Sequence, residues 1–250
     1  MSTPRQWSVL SIACALLVFA WIGLAARPTL ALPVYSHDFE SAVGPEWSST
    51  STAVTPVGAR RFLGPLSNGT TSLTLAGLPE HHQVTVSFDL FIIGSWDGNC
   101  WASDCSGTPD KWTLALESGP TLLTTTFSNS NSGDNPQAYP DAYGDGTHTY
   151  PARTGAEENN SLGYCTPSSN PQRPPVCRDA VYHLDFTFDH TASTLGLHFS
   201  ALVATNGSET WGLDNVQVAV AMPEPTSWLL LATGLLAALL CRRFSPRRAL

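Results

Sequence analysis

The chain has 250 residues, 42% of them hydrophobic, with 20 acidic and 12 basic side chains and a formal net charge of −8. Between residues 32 and 221 the imbalance sharpens to 19 acids against six bases (Arg60, Arg61, Lys111, Arg153, Arg173, Arg178), a net charge of −13, which repels nucleic acid and anionic lipid and attracts cations. Five tryptophans in that stretch, Trp47, Trp96, Trp101, Trp112 and Trp211, exclude a disordered chain.

Residues 1–31 read as a secretory signal peptide, a helix removed on export. Arg5 precedes an apolar run over 7–26, and Thr29-Leu30-Ala31 supplies a small-residue cleavage site. The competing reading is a permanent N-terminal anchor, because the run is almost long enough to span a bilayer. Arg27-Pro28 and the cleavage site directly after the run oppose it.

Residues 32–221 form the exported domain, of a size that buries one core. Its periodicity is that of strands: in Gln83–Ile93, Val84, Val86, Phe88, Leu90 and Ile92 fall on one face and Thr85, Ser87, Asp89 and Phe91 on the other. The same alternation predicts strands in 71–75, 112–116, 181–188 and 195–199. No part of this stretch sustains a 3.6-residue period, and Gly, Pro and Asn punctuate the runs. The pattern is that of an all-β antiparallel sandwich.

The alternation fails over 128–179, a long loop rich in Ser, Asn, Gly and Pro. Loops of that length are functional, disordered, or packed insertions. This one carries Tyr139, Tyr143, Tyr150 and Tyr164 with Asp134, Asp141 and Asp145, and rings beside carboxylates suit a sugar-binding face. Tyr139 and Tyr143, with Trp101, are the expected ligand platform; an insertion pinned to the sandwich is the competing reading. Four cysteines lie in the domain, and an even number in an exported chain reads as two disulfides with three possible connectivities. Local pairing, Cys100 with Cys105 and Cys165 with Cys177, is expected because each pair is close in sequence and flanked by turn formers. Those spacings do not match paired zinc knuckles.

Signatures of catalysis are missing: no nucleophile elbow, no His-Glu-x-x-His, no phosphate loop. Glu157-Glu158 are loop neighbours expected to point into water, not carboxyls opposed across a cleft. His81-His82 read as a solvated turn before a strand. Asp141 to Asp145 imitates the start of an EF-hand, but Tyr143 and Ala152 stand where acids are needed.

At the C-terminus, Pro223-Glu224-Pro225 precedes the uncharged stretch 226–241, a transmembrane helix, and Arg242, Arg243, Arg247 and Arg248 follow. Prolines stop the last strand and the arginines hold the helix end in the cytoplasm. This segment, 222–250, closely resembles the PEP-CTERM sorting signal of Gram-negative bacteria. The resemblance implies a partner, an exosortase-type enzyme that removes the helix, and a final location at the envelope, cell surface or extracellular matrix.

Two motifs at the ends of the domain carry a second resemblance. Asp38-Phe39-Glu40-Ser41 followed by Trp47 is similar to the opening strand of galactose-binding-like jelly rolls, as in many carbohydrate-binding modules, and Trp211-Gly212-Leu213-Asp214-Asn215-Val216 to their closing strand. Phe62-Leu63-Gly64, Ser95-Trp96-Asp97-Gly98 and the closing motif also resemble a domain recurrent in PEP-CTERM proteins. The fold implied is a jelly-roll β-sandwich, in which those two strands lie near a structural calcium. Parity adds to this: Trp211 and Leu213 are odd, Val216, Val218 and Val220 even, so the apolar face changes over at Asp214-Asn215, which demands a bulge. A calcium held by Glu40 and Asp214 is the expectation; solvated acids at a sheet edge are the alternative.

The functional expectation is a non-catalytic binding or structural module associated with envelope or extracellular polysaccharide. The alternatives are a matrix protein without a pocket and a hydrolase with an unrecognised site. The topology is directly testable. Protease added to intact spheroplasts should digest the domain between the two apolar segments; its protection there would overturn the export reading.

Overall fold

The computed structural model describes residues 31–99, 108–131, 135–144, 149–203 and 209–222. The signal peptide, the sorting segment with Pro223, Glu224, Pro225, Arg242 and Arg243, and the segment holding Cys100, Trp101 and Cys105 lie outside the described residues. The strands in chain order are β1 (Ala31–His37), β2 (Thr52–Val54), β3 (Arg61–Leu66), β4 (Gly69–Ala76), β5 (Gln83–Ile93), β6 (Lys111–Leu116), β7 (Thr121–Thr125), β8 (Glu158–Asn159), β9 (Cys165–Thr166), β10 (Val176–Cys177), β11 (Asp179–Asp189), β12 (Thr194–Leu202) and β13 (Thr210–Ala221). No helix occurs among the described residues.

Seven strands make the larger sheet, in the order β2-β3-β13-β5-β11-β8 with β1 also on β13, and β4-β12-β6-β7 make the smaller one. The chain changes sheet from β3 to β4, β4 to β5, β5 to β6, β11 to β12 and β12 to β13. That is the antiparallel wiring of a jelly roll. Strand β5 has the bounds and the faces that its alternation predicts. Val84, Val86, Phe88, Leu90 and Ile92 are fully buried between the sheets, where they meet Trp112, Leu114, Leu197 and Phe199. Phe88, Trp112 and Phe199 pack ring against ring with centroids 5.3 to 6.4 Å apart. Each such side chain contributes about 1.5–3 kcal/mol of transfer free energy.

The outer face of the larger sheet is apolar at one end. Phe62, Phe91, Ile93, Leu162 and Val181 form a second cluster there, with Ala53 and Tyr164 against it. This is why the outward side of β5 turns from Thr and Ser to Phe91 and Ile93. Gly212 makes the layer possible, since a Cβ at that position would lie 2.3 Å from the Phe62 ring.

In β13, Asp214 lies opposite Asp89 and Gln217 opposite Ser87, so one extra residue is inserted between them. Asn215 takes it up at φ 51°, a left-handed conformation that Asn tolerates. Trp211 and Leu213 before the bulge and Val216, Val218 and Val220 after it all face the core, as the change of parity requires. The opening strand differs from expectation. It is β1, Ala31–His37, and Asp38-Phe39-Glu40-Ser41 form the turn after it, with Phe39 at φ 55°. The resemblance fell on the turn because the strand itself, with Pro33 and a register shift beside it, lacks clean alternation.

The described residues of the 128–179 segment pack against the sandwich and carry β8, β9 and β10. Two buried side chains fasten it. Gln137 Oε1 accepts from the Ser128 and Arg153 amides at 3.1 and 2.9 Å and from the Tyr182 hydroxyl at 3.2 Å, and its Nε2 donates to the Tyr139 and Thr154 carbonyls. Asp179 accepts from the Leu162 and Tyr164 amides at 2.9 and 3.0 Å. The Cys165–Cys177 disulfide is formed, across the paired residues of the β9–β10 hairpin. Replacing Gln137 by Ala strands the buried Ser128 amide and the buried Tyr182 hydroxyl, each costing about 1–3 kcal/mol. Urea unfolding of Gln137→Ala should show a loss of about 3 kcal/mol or more, and a loss under about 1 would refute this account of the insertion.

Candidate functional site

An opening lies beside the disulfide hairpin, where the chain leaves β5. It is a groove of about 590 Å³ lined by Ile93, Gly94, Ser95, Tyr164, Cys165, Thr166, Pro167, Val176 and Arg178. Local backbone bonds build it: Gly94 N donates to the Arg178 carbonyl at 2.9 Å and Arg178 N to the Tyr164 carbonyl at 3.0 Å. The Tyr164 ring is half-buried against the outer apolar layer, and burial pushes its hydroxyl pKa up. Beneath the groove the Ser95 hydroxyl donates to the buried Glu209 carboxylate. A volume of this size suits a small ligand or one or two sugar rings, with Tyr164 for stacking and Ser95, Thr166 and Arg178 for polar contact. Tyr164 is one of the four tyrosines of the insertion; what the sequence hides is that the hairpin folds it beside the end of β5.

A second constellation sits at the β13 bulge, on the outer face of the larger sheet. Arg60 lies 3.6 Å from Asp89 and from Asp214 and 2.8 Å from Glu158, with its guanidinium 4.6 Å from the Phe91 ring centroid. Asn215 Nδ2 donates to Asp89 at 2.7 Å, and His183 Nδ1 bonds the other Asp89 oxygen at 2.7 Å. Burial pushes the Asp214 carboxyl up to about 6; the Asn215 amide and Arg60 oppose the shift, and the Asp89 and Glu40 charges add to it. The Asp89 bond draws the His183 pKa upward. Asp89 and Asp214 are register partners on one sheet sharing one guanidinium, not carboxyls opposed across a cleft.

The expected residues divide accordingly. Glu40 and Asp214 come into the same electrostatic neighbourhood. Glu40 is exposed and accepts from the Arg61 amide at 2.9 Å. Among the described residues no group of three or more His, Cys, Asp or Glu side chains is arranged to hold a metal. Tyr139 and Tyr143 do not share a platform. Tyr139 packs into the inter-sheet core against Phe127 and Tyr182, with centroids 5.0 and 5.2 Å away, because Gln137 pins its backbone there. Tyr143 is half exposed with the Lys111 ammonium 4.7 Å over its ring. Glu157 is exposed, and Glu158, though also reaching water, pairs with Arg60. His81 is not solvated either: it is 3% exposed, its Nδ1 is 2.6 Å from the Pro79 carbonyl, and its Nε2 is 2.7 Å from His190 Nδ1.

No protein-family model matches the chain, and no curated protein matches it. Among solved structures it is similar to dimeric latent PorU from Porphyromonas gingivalis, at 12% identity and TM-score 0.40 over 79% of this chain and 13% of that one. It is also similar to the CBM22-1 xylan-binding domain of Paenibacillus barcinonensis Xyn10C, at 13% identity and TM-score 0.35 over 79% of this chain and 99% of that one. A third is the carbohydrate-binding module CBM6cm-2 of Cellvibrio mixtus lichenase 5A in complex with cellotriose, at 12% identity and TM-score 0.32 over 75% and 97%. The chain thus spans a small part of the PorU chain and nearly the whole of the two modules.

The raised Asp214 pKa fixes the sign of a pH effect. A carboxyl at about 6 when folded and 3.8 when unfolded binds a proton in the folded state between those values. Its contribution to stability is therefore full below about pH 4 and lost as pH rises to about 6, by roughly 3 kcal/mol at 1.36 per unit. Asp214→Asn should gain stability relative to the parent by about 2–3 kcal/mol across that window in urea titrations. A calcium ion bound through Glu40 and Asp214 would offset that difference above pH 6, adding ~2.7 kcal/mol to the parent alone at a hundred times its dissociation constant. Equal parent melting with calcium and with chelator would remove calcium.

Proposed function

We propose that the chain is an exported, non-catalytic module displayed at the cell surface, which holds an envelope or extracellular polysaccharide in the groove beside the β9–β10 hairpin. In this reading an exosortase-type enzyme processes the segment at Pro223-Glu224-Pro225, and the 226–241 helix anchors the precursor in the membrane. Calcium at Glu40 and Asp214 would be structural, tying the turn after the first strand to the last.

The observation that carries the proposal is the position of the groove. Ala221, where β13 ends, pairs with Ala31 at the start of β1 and with Gln83 at the start of β5. Both ends of the domain therefore emerge at one pole. The groove begins at Ile93, at the other end of β5, ten strand steps or roughly 33 Å away. A domain tethered by its C-terminus would present this groove away from the membrane, with Tyr164 to stack on a pyranose face and the hydroxyls of Ser95 and Thr166 beside it.

Thr166 is exposed on the groove wall. Thr166→Trp should fill the groove and weaken retention of the full chain on immobilised envelope polysaccharide by roughly tenfold, about 1.4 kcal/mol, with thermal unfolding unchanged. Unaltered retention would move the binding surface elsewhere, and no retention by the parent would leave a structural matrix protein.

A further inference from the structure

The six bases of the domain are not spread evenly. Arg153, Arg173 and Arg178 all belong to the 128–179 insertion, at the pole of the hairpin. The hairpin is a ridge with an opening on each side: the 590 Å³ groove contains Arg178, and a second, of about 460 Å³, contains Arg173 with Asn131, Asn160 and Ser168. Val176 at the ridge crest lines both and is 41% exposed.

In so acidic a domain each arginine would be expected to find a carboxylate; among the described residues these three form no ion pair, although Arg178 feels the charge of Asp97 and Arg153 that of Asp179. Among the described residues neither Arg173 nor Arg178 has an acid within ion-pair distance, whereas Arg60 has three. Arg153 donates from Nη2 to two neutral oxygens, the Asn129 carbonyl at 3.2 Å and Asn160 Oδ1 at 2.9 Å, and its buried Nε has no partner. Arg153 and Arg178 lie close enough to repel each other. The acid next to Arg178 in sequence, Asp179, is fully buried with both oxygens taken by the Leu162 and Tyr164 amides. Asp97, the nearer surface acid, accepts from Asn135 Nδ2 at 3.0 Å. The fold thus turns Asp179 inward to hold the insertion, while Arg178 and Arg173 line the two openings.

We infer that the hairpin pole recognises an acidic glycan, its carboxylate or sulfate groups bridging the Arg178 groove and the Arg173 groove across the Val176 ridge. The inference rests on the proposed glycan-binding reading and adds the charge of the ligand. Guanidinium groups pair with carboxylate and sulfate oxygens through two parallel N–H bonds, a geometry that a neutral sugar does not use. The net charge of −13 does not prevent this. At 0.15 M salt the Debye length is ≈ 8 Å, so acids on the far side of the domain are screened while contacts in the groove are not. The same net charge opposes indiscriminate adsorption of polyanions, leaving binding to the pole that holds Arg173 and Arg178.

The test is affinity electrophoresis of the full chain in gels containing polygalacturonate, its methyl-esterified form, dextran sulfate or dextran. At least one acidic polymer should retard the chain about tenfold more strongly than its neutral counterpart, and Arg173→Gln with Arg178→Gln should abolish that difference while the melting temperature stays the same. Arg178→Lys, which keeps the charge but not the fork, should restore part of it. Equal retention by charged and neutral polymers would overturn the acidic ligand while leaving the glycan reading standing. Retention by an acidic polymer that the double variant leaves unchanged would overturn the site. No retention by any polymer would overturn both.

Discussion

An irregular segment can lie against a hydrophobic sandwich only if every polar backbone group it carries into the interior finds a partner there, because each stranded group costs about as much as a whole buried apolar side chain stabilises. Everything distinctive in this domain follows from how that constraint is met. The sheets supply few free ladder positions to the insertion, so side chains stand in. Gln137 uses all its amide capacity in five bonds, and Asp179 spends both oxygens on two amides. With those contacts made, Tyr139 falls into the core, Leu162 covers the outer apolar layer, and the hairpin stands beside the end of β5.

The constraint also sorts the charges. Carboxylates that accept from backbone amides are drawn inward and are not available to neighbouring cations, which is the fate of Asp179 next to Arg178. At the bulge of β13 the opposite occurs: one guanidinium is drawn in by three acids and an aromatic face, and the burial that results holds Asp214 well above its usual range. The same residue types therefore give an acid-paired guanidinium at mid-sheet and exposed arginines at the pole. Net charge alone describes neither.

Legibility in the sequence follows the range of the interaction concerned. Alternation is a local property, and β5, β6, β11 and β12 were all readable from it; so was the bulge at Asp214-Asn215, because a break in parity is visible in the strand that carries it. Short strands such as β2 and β8 were not, having too few residues to show a period. The opening strand was misplaced by a few residues onto the turn at Asp38. Pairing Cys165 with Cys177 needed only proximity along the chain. Gln137, Asp179 and the His81–His190 contact were invisible, since their partners lie far away in sequence or are backbone groups without identity. For the same reason the sequence does not separate the tyrosines: Tyr139, Tyr143 and Tyr164 look alike in composition, and only the fastening of the insertion decides that Tyr139 packs against the core and Tyr164 lines an opening.

The strand that closes the fold has a mechanical consequence. Strand β13 is paired along its length, with β5 on one side and β1 and β3 in succession on the other, and the chain leaves from its end. A pull on that end acts along the strand axis, so the ladder bonds on both sides bear the load together in shear, whereas a strand pulled from the side unzips one bond at a time. Tension between something gripped at the hairpin pole and the point of exit would run through the best-supported strand in the molecule. Strand β1, paired with β13 from Val216 to Ala221, would share that load at the point of exit.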